Sequence, residues 1–245
     1  RNPSLAVLDA LNYFASKMGS VKFDCYHQNI YWMMSLAEQH GHKLCFNFIP
    51  TRTHEGRDAN NHIQDAVIRK VINDITIRGH EIGIHPGYDS FNNPTIFGLS
   101  ADAFHSVMQL CNVRQSSFGG RQHYLRYDVL ATPQLWSVNG LAYDSTLGFA
   151  DHSGFRSSVC YEYNAYDLKQ RSSLILKNRP LIVMDCSIVE ANYEGLGLSE
   201  KAYRRILTLR DTCQLYNGDF TLLWHNSYLF TTKHVRFYED LMRDL

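Results

Sequence analysis

The sequence predicts an α/β fold, parallel strands joined by helical crossovers and closed as a β/α barrel, in a single domain over residues 1–245. Three observations carry this. Short apolar runs alternate along the chain with stretches of helical periodicity, the pattern of successive βα units. Those runs stop at polar residues, Asp24, His85, Arg121, Asp144, Asp185 and His225, and the carboxyl ends of parallel strands share one rim, where barrel sites are built. Finally, a length of 245 residues suits one α/β barrel domain.

In chain order, Leu5, Leu8, Leu11 and Phe14 recur at helical spacing before Ser20, and Val21-Lys22-Phe23 reads as a strand ending at Asp24. A helix is predicted from Asn29 to His40, closed by Gly41, and a strand from Lys43 to Ile49, stopped by Pro50. Thr51 to Asn61 is polar and aperiodic, which predicts an exposed loop. Ile63, Val67, Val71, Ile72 and Ile75 place a helix over residues 62–78; Gly79 suits its C-cap, and Glu81 to Ile84 is a short buried strand. After a loop around Asn93-Pro94, Ser100 is a plausible N-cap for a helix through Cys111. Gly119 to Tyr124 breaks regularity. A helix follows near Thr132 to Asn139, ended by Gly140, and Leu141 to Tyr143 leads into Asp144. Arg156 to Gln170 is aromatic and irregular. Leu181 to Met184 is the clearest strand, Ser199 caps a helix to about Tyr216, and Phe220 to Trp224 runs as a strand into His225.

Composition narrows the function. With 24 basic and 24 acidic residues and no basic run, neither nucleic acid nor an anionic membrane is expected as a partner. No apolar stretch approaches the ~18 residues of a membrane span. The six cysteines are scattered without a C-x-x-C pair, which reads as free thiols in a reducing, cytoplasmic setting, although the even count leaves disulfides open. Oligomeric state is not encoded in any of these features.

The residues themselves suggest a site. His85, Pro86, Gly87, Tyr88 and Asp89 form a turn at a strand end that offers an imidazole and a carboxylate, groups suited to metal ligation or proton transfer. Each polar strand end, taken alone, is more readily a cap or a buried backbone partner; the set is what points to a site. His80 precedes its strand and reads as a packing histidine. Tyr161, Tyr163 and Tyr166 either cover a rim or offer faces to sugar rings. Asp144 and Asp185 are orienting groups for Arg121 or His225, or strand caps.

Arg78 to His85, Arg121-Gln122-His123-Tyr124 and Leu223-Trp224-His225 resemble, in order and spacing, motifs of the polysaccharide deacetylases of carbohydrate esterase family 4. The resemblance extends from Val21 to Tyr228. Residues 120–126 and 143–149 look like the branch of that family found with bacterial surface polysaccharide genes. It implies a distorted (β/α)7 barrel and a divalent metal, commonly zinc, that activates water against an N-acetyl carbonyl. It further implies that Asp24 and His85 are metal ligands and that the Tyr124 backbone N–H stabilises the oxyanion. Arg121 would tether the base, Leu223 would form an acyl-methyl pocket with Trp224 and Tyr88 as substrate contacts, and His225 would act as general acid. Such a set is what amide hydrolysis needs, because a poor electrophile requires an activated water, a stabilised oxyanion and a proton for the amine.

The sequence departs from the family pattern at three places. Phe23 stands where the base aspartate precedes Asp24, Asp89 replaces the second histidine ligand, and His123 replaces a proline. A metal would then be held by Asp24, His85 and Asp89, or His123 would complete the site, or no metal binds. The expectation is a hydrolase that removes an N-acyl group, acetyl first among them, from an amino sugar of a surface polysaccharide or its precursor. The alternatives are a non-catalytic carbohydrate-binding relative and a different metal-dependent barrel hydrolase with several histidines around two metals.

Overall fold

The computed structural model describes residues 25–245. The predicted N-terminal helix, the strand at residues 21–23 and Asp24 lie outside them. The described residues divide into two compact units, one made by residues 43–223 and the other by residues 25–42 together with 224–245.

In the second of these, α1 (Cys25–Gln39) buries Met33, Met34, Leu36 and Ala37, and Gly41 closes it with a positive φ of 75°. Trp32 lies 5.9 Å from Tyr238, which α7 (Thr232–Asp244) buries with Leu241 and Met242.

The unit of residues 43–223 is built from βα repeats. β1 (Cys45–Phe48) leads through a loop to α2 (Ala66–Ile77), then β2 (Glu81–Ile84) and α3 (Pro94–Leu110). β3 (Gly119–Gly120) is followed by a 3-10 turn at His123–Leu125, then α4 (Thr132–Val138) and β4 (Tyr143–Asp144). β5 (Tyr163–Asp167) and β6 (Ser172–Asn178) come next, then β7 (Val183–Met184), α5 (Asp185–Val189), α6 (Glu200–Leu215) and β8 (Leu222–Leu223). The sheet order is β1-β2-β3-β4-β6-β5, parallel except for the β5–β6 pair, and β7 pairs with β8 in parallel. This is a mixed α/β fold on a parallel sheet, with no closed ring of strands among the described residues.

The predicted periodicity explains the core. Ile82 and Ile84 of β2 are fully buried, as are Ile72 and Ile75 of α2, Phe97 and Phe104 of α3 and Trp136 of α4. Gly79 takes φ 81° after α2, a left-handed turn that a side chain would strain. His80 is a packing residue: buried, it accepts the Leu44 N–H on Nδ1 at 3.1 Å and meets Phe46 edge on. β3 is short because it is two glycines, and a Cβ on Gly120 would overlap the Ile84 carbonyl oxygen. That absence of side chains lets β2 and β4 flank it.

Three elements differ from expectation. Asn93, not Ser100, caps α3, accepting from the Thr95 and Ile96 N–H groups with Pro94 in the first turn; Ser100 is buried and bonds Thr51. The aromatic stretch before Gln170 joins residues 172–178 in an antiparallel hairpin, which its weak alternation conceals. The predicted strand at 181–184 pairs only at Val183 and Met184, and Asp185 begins a helix. Cys45, Cys111, Cys160, Cys186 and Cys213 are free thiols. Among the described residues no helix is long and apolar enough to cross a membrane.

Candidate functional site

The β2 ladder continues one residue past the strand, with the His85 N–H on the Phe48 carbonyl at 2.7 Å. Arg121, leaving β3 next door, places its N–H on the Ile84 carbonyl at 3.0 Å. These neighbouring exits bring His85 Nδ1 within 2.5 Å of the Arg121 carbonyl oxygen. A carbonyl only accepts, so a proton sits on Nδ1 and the ring is held with Nε2 turned away from Arg121.

The turn after Arg121 brings in a second imidazole. His123 donates its N–H to the Pro86 carbonyl at 3.2 Å, and buried Gln122 ties the same loops together through Pro86, Gly87 and Ser90. Tyr124 and Leu125 are both left-handed, at φ 58° and 52°. Non-glycine residues adopt that region at a cost of about 1–3 kcal/mol, and it clusters at functional sites. The hydrogen bonds of the turn run from Leu125 N–H to Gln122 and from Arg126 N–H to His123; the Tyr124 N–H enters neither. The His123 ring lies 4.8 Å from that of His85, tilted by 62°.

A buried carboxylate fixes His123. Asp58 Oδ1 is 2.7 Å from His123 Nδ1 and also accepts from the Tyr88 N–H at 2.9 Å. Oδ2 accepts from the Thr53 N–H, the Thr53 hydroxyl and the His54 N–H at 2.8, 2.7 and 3.0 Å. Burial alone would raise its pKa, but the Thr53, Tyr88 and His123 donors together hold it down at about 2. The ionised carboxylate therefore accepts a hydrogen bond from His123 Nδ1, which fixes the ring and makes Nε2 the nitrogen turned away from Asp58. Asp58 lies in the stretch expected to be exposed. Its backbone is irregular as expected, yet the carboxylate is interior because protein donors replace water. The available signal was Gly56-Arg57-Asp58, with Asp58 four residues beyond His54 and five beyond Thr53, a turn-forming run with a nearby side-chain donor.

Asp89 is turned to a different partner. Its carboxylate pairs with Arg126 at 3.2 Å, and the Arg126 guanidinium stacks on Tyr88 and Phe91 at 4.1 and 3.9 Å. Tyr88 in turn meets Tyr124 edge to face at 5.2 Å. Among the described residues no three of His, Cys, Asp or Glu are grouped to hold a metal ion; His85 and His123 bring two imidazoles together.

Arg121 is buried, and burial lowers its pKa. Ser145 orients it, accepting from Nε on its carbonyl and from a terminal nitrogen on its hydroxyl, both at 2.8 Å. Asp144 lies alongside without a direct bond to it. Its Oδ1 accepts from the Thr146 N–H and hydroxyl, while Oδ2 is buried without a hydrogen-bond partner. Burial pushes the Asp144 pKa up to about 6 against the pull of Thr146 and Arg121. Asp185 is buried at the start of α5 and accepts the Cys186 N–H at 2.6 Å.

Leu223 packs with Cys186 against a buried apolar cluster of Leu125, Leu181 and Met184, so the 3-10 turn and β8 share one apolar surface. Trp224 and His225 belong to the other unit. There, Trp224 is buried 5.2 Å from Tyr238 and stacks on Phe237. His225 is exposed at the entry to a 3-10 turn, Asn226–Tyr228, and its carbonyl accepts the Tyr228 N–H at 2.8 Å.

The arrangement of strands and helices is also found in a solved structure. The chain shares its fold with a presumed polysaccharide deacetylase. That protein, from Mycobacterium smegmatis, superposes with a TM-score of 0.62 over 94% of this chain and 76% of its own, at 18% sequence identity. At that identity the likeness is one of fold. No protein-family model and no curated protein matches the sequence.

Proposed function

We propose that this protein is a metal-dependent hydrolase that removes an N-acyl group, acetyl above all, from an amino sugar of a surface polysaccharide or its precursor. The observation that carries the proposal is the imidazole pair, His85 and His123, each with Nδ1 held by a fixed acceptor so that Nε2 is the nitrogen a metal would take. Histidines oriented in this way through a carbonyl or a carboxylate are the donors zinc takes. The pair therefore fits a zinc-type ion, with Asp24 as third donor on the strength of the sequence resemblance. When bound, such an ion supplies an acidified water and a polarised carbonyl.

The remaining roles fall to the chain. Asp58 holds His123 in one tautomer, and the Arg121 carbonyl does the same for His85. The Tyr124 N–H, unused within its turn, suits an oxyanion donor. The apolar surface of Leu125, Leu181, Met184 and Leu223 suits the acyl methyl. His225 is assigned as general acid by the sequence resemblance alone. The (β/α)7 barrel belongs to the same proposal, and the Leu181 N–H on the Leu147 carbonyl at 3.0 Å, between the segment after β4 and the segment before β7, supports it.

The test is acetate release from N-acetylated oligosaccharides in the presence of zinc, cobalt or manganese. Release that is lost in His85→Ala and His225→Ala supports the proposal, and none with any metal contradicts it. One feature favours a second function, glycan binding without chemistry: Phe23 in place of the base aspartate. Tight oligosaccharide binding with no acetate released would select it.

A further inference from the structure

The loop that carries Asp58 also presents a cation. Arg57 is exposed, with its guanidinium carbon 5.3 Å from the centre of the Tyr124 ring and 5.7 Å from that of Tyr88. The two rings pack on each other, and His123 lies 4.7 Å from Tyr124, which connects this surface to the imidazole pair. The backbone beneath Arg57 is fastened at the next residue, where Asp58 binds Thr53, His54, Tyr88 and His123. The other guanidinium on Tyr88 belongs to Arg126 and is neutralised by Asp89. Arg57 has no acidic partner among the described residues. A positive charge is thus held over two aromatic rings beside the imidazoles, without the carboxylate that its neighbour has.

We propose that Arg57 and the Tyr88–Tyr124 pair form a subsite for an anionic group, a carboxylate or a phosphate, carried by the sugar next to the N-acylated one. The identity of the bound sugar rests on the deacetylase proposal; the anion site does not. A guanidinium offers paired donors in a planar fork that matches both oxyanions, and it is weakly hydrated, so it surrenders water readily. A tyrosine ring packs against the apolar side of a sugar, and Tyr124, half exposed, offers that surface while Tyr88, covered by Arg126, backs it. An acidic glycan would therefore be gripped at its ring and at its charge together, and a neutral glycan only at its ring.

Calorimetry tests this with a tetrasaccharide of alternating N-acetylglucosamine and glucuronic acid, and with the methyl ester of the same tetrasaccharide. The acid form is expected to bind about tenfold more tightly than the ester, the worth of one charge-assisted contact. Arg57→Gln, an exposed substitution, should abolish that difference. N-acetylglucosamine 1-phosphate against N-acetylglucosamine distinguishes the sources: an Arg57-dependent advantage there alone assigns the site to phosphate. Equal binding of charged and neutral members of both pairs would overturn the proposal, and so would a preference that survives in Arg57→Gln. Acetate release is read separately. An Arg57-dependent anion preference in a protein that releases no acetate would end the hydrolase proposal and leave the anion site standing.

Discussion

His123 Nδ1 and Asp58 Oδ1 lie 2.7 Å apart, joining residues separated by 65 positions in the chain. The bond explains how a position that is proline in the resembling family accommodates an oriented imidazole here. Asp58 also organises its own loop through Thr53, His54 and Tyr88. Replacing it by alanine strips several charge-assisted bonds at once, and should lower the unfolding free energy by about 2–4 kcal/mol. Urea titration measures this. A loss below about 0.5 kcal/mol, the size of an ordinary surface substitution, would show that the carboxylate does not hold the loop.

Asp144 gives the pH dependence a sign. Its pKa rises from 3.8 to about 6 on folding, chiefly through burial, so the folded state favours its protonated form. The contribution to stability is complete below about pH 4 and is lost as pH rises through 6. Asp144→Asn removes that loss. Between pH 4 and pH 7 the variant should gain on the wild type by something on the order of 2–3 kcal/mol, whatever its constant offset. Parallel stability profiles for the two proteins would contradict the assignment.

Gly120 tests the close approach of β2 and β3. An added Cβ meets the Ile84 backbone rather than a flexible side chain, so Gly120→Ala forces strand separation. Destabilisation of about 3 kcal/mol or more is expected, with loss of the Arg121 position and of any acetate release. Gly56→Ala, whose Cβ meets nothing but whose φ is 80°, is the milder comparison, at about 1 kcal/mol. Equal effects would mean that steric contact is not what selects glycine in β3.

These residues also show what the sequence made legible. β2 could be read from Glu81-Ile82-Gly83-Ile84 because its buried side chains are apolar and its ends are marked by Gly79 and Pro86. His85 could be placed at the end of that strand for the same reason, whereas Arg121 follows two glycines that read as a break, and its place beside His85 comes from the pairing of β3 with β2. Asp58 was harder to read, since its turn and the nearby Thr53 hydroxyl give only a local signal, while its partners Tyr88 and His123 fold back from later in the chain. Asp89 was legible as an acid but not as the partner of Arg126, a choice made by stacking on Tyr88 and Phe91. The β5–β6 hairpin escaped because Ala165 and Asp167 are the buried positions of β5 and the aromatic residue between them, Tyr166, faces water.

The central claim is that His85 and His123 act as a single metal-binding pair, and cobalt(II) titration followed by visible absorption tests it most directly. The account predicts one ion per chain. It predicts affinity lowered roughly 10- to 100-fold by Asp58→Ala, which removes the orienting carboxylate. Binding should be lost in His85→Ala and His123→Ala and kept in Asp89→Ala. A protein that binds no cobalt, or whose cobalt site survives both histidine substitutions and disappears with Asp89, would contradict it.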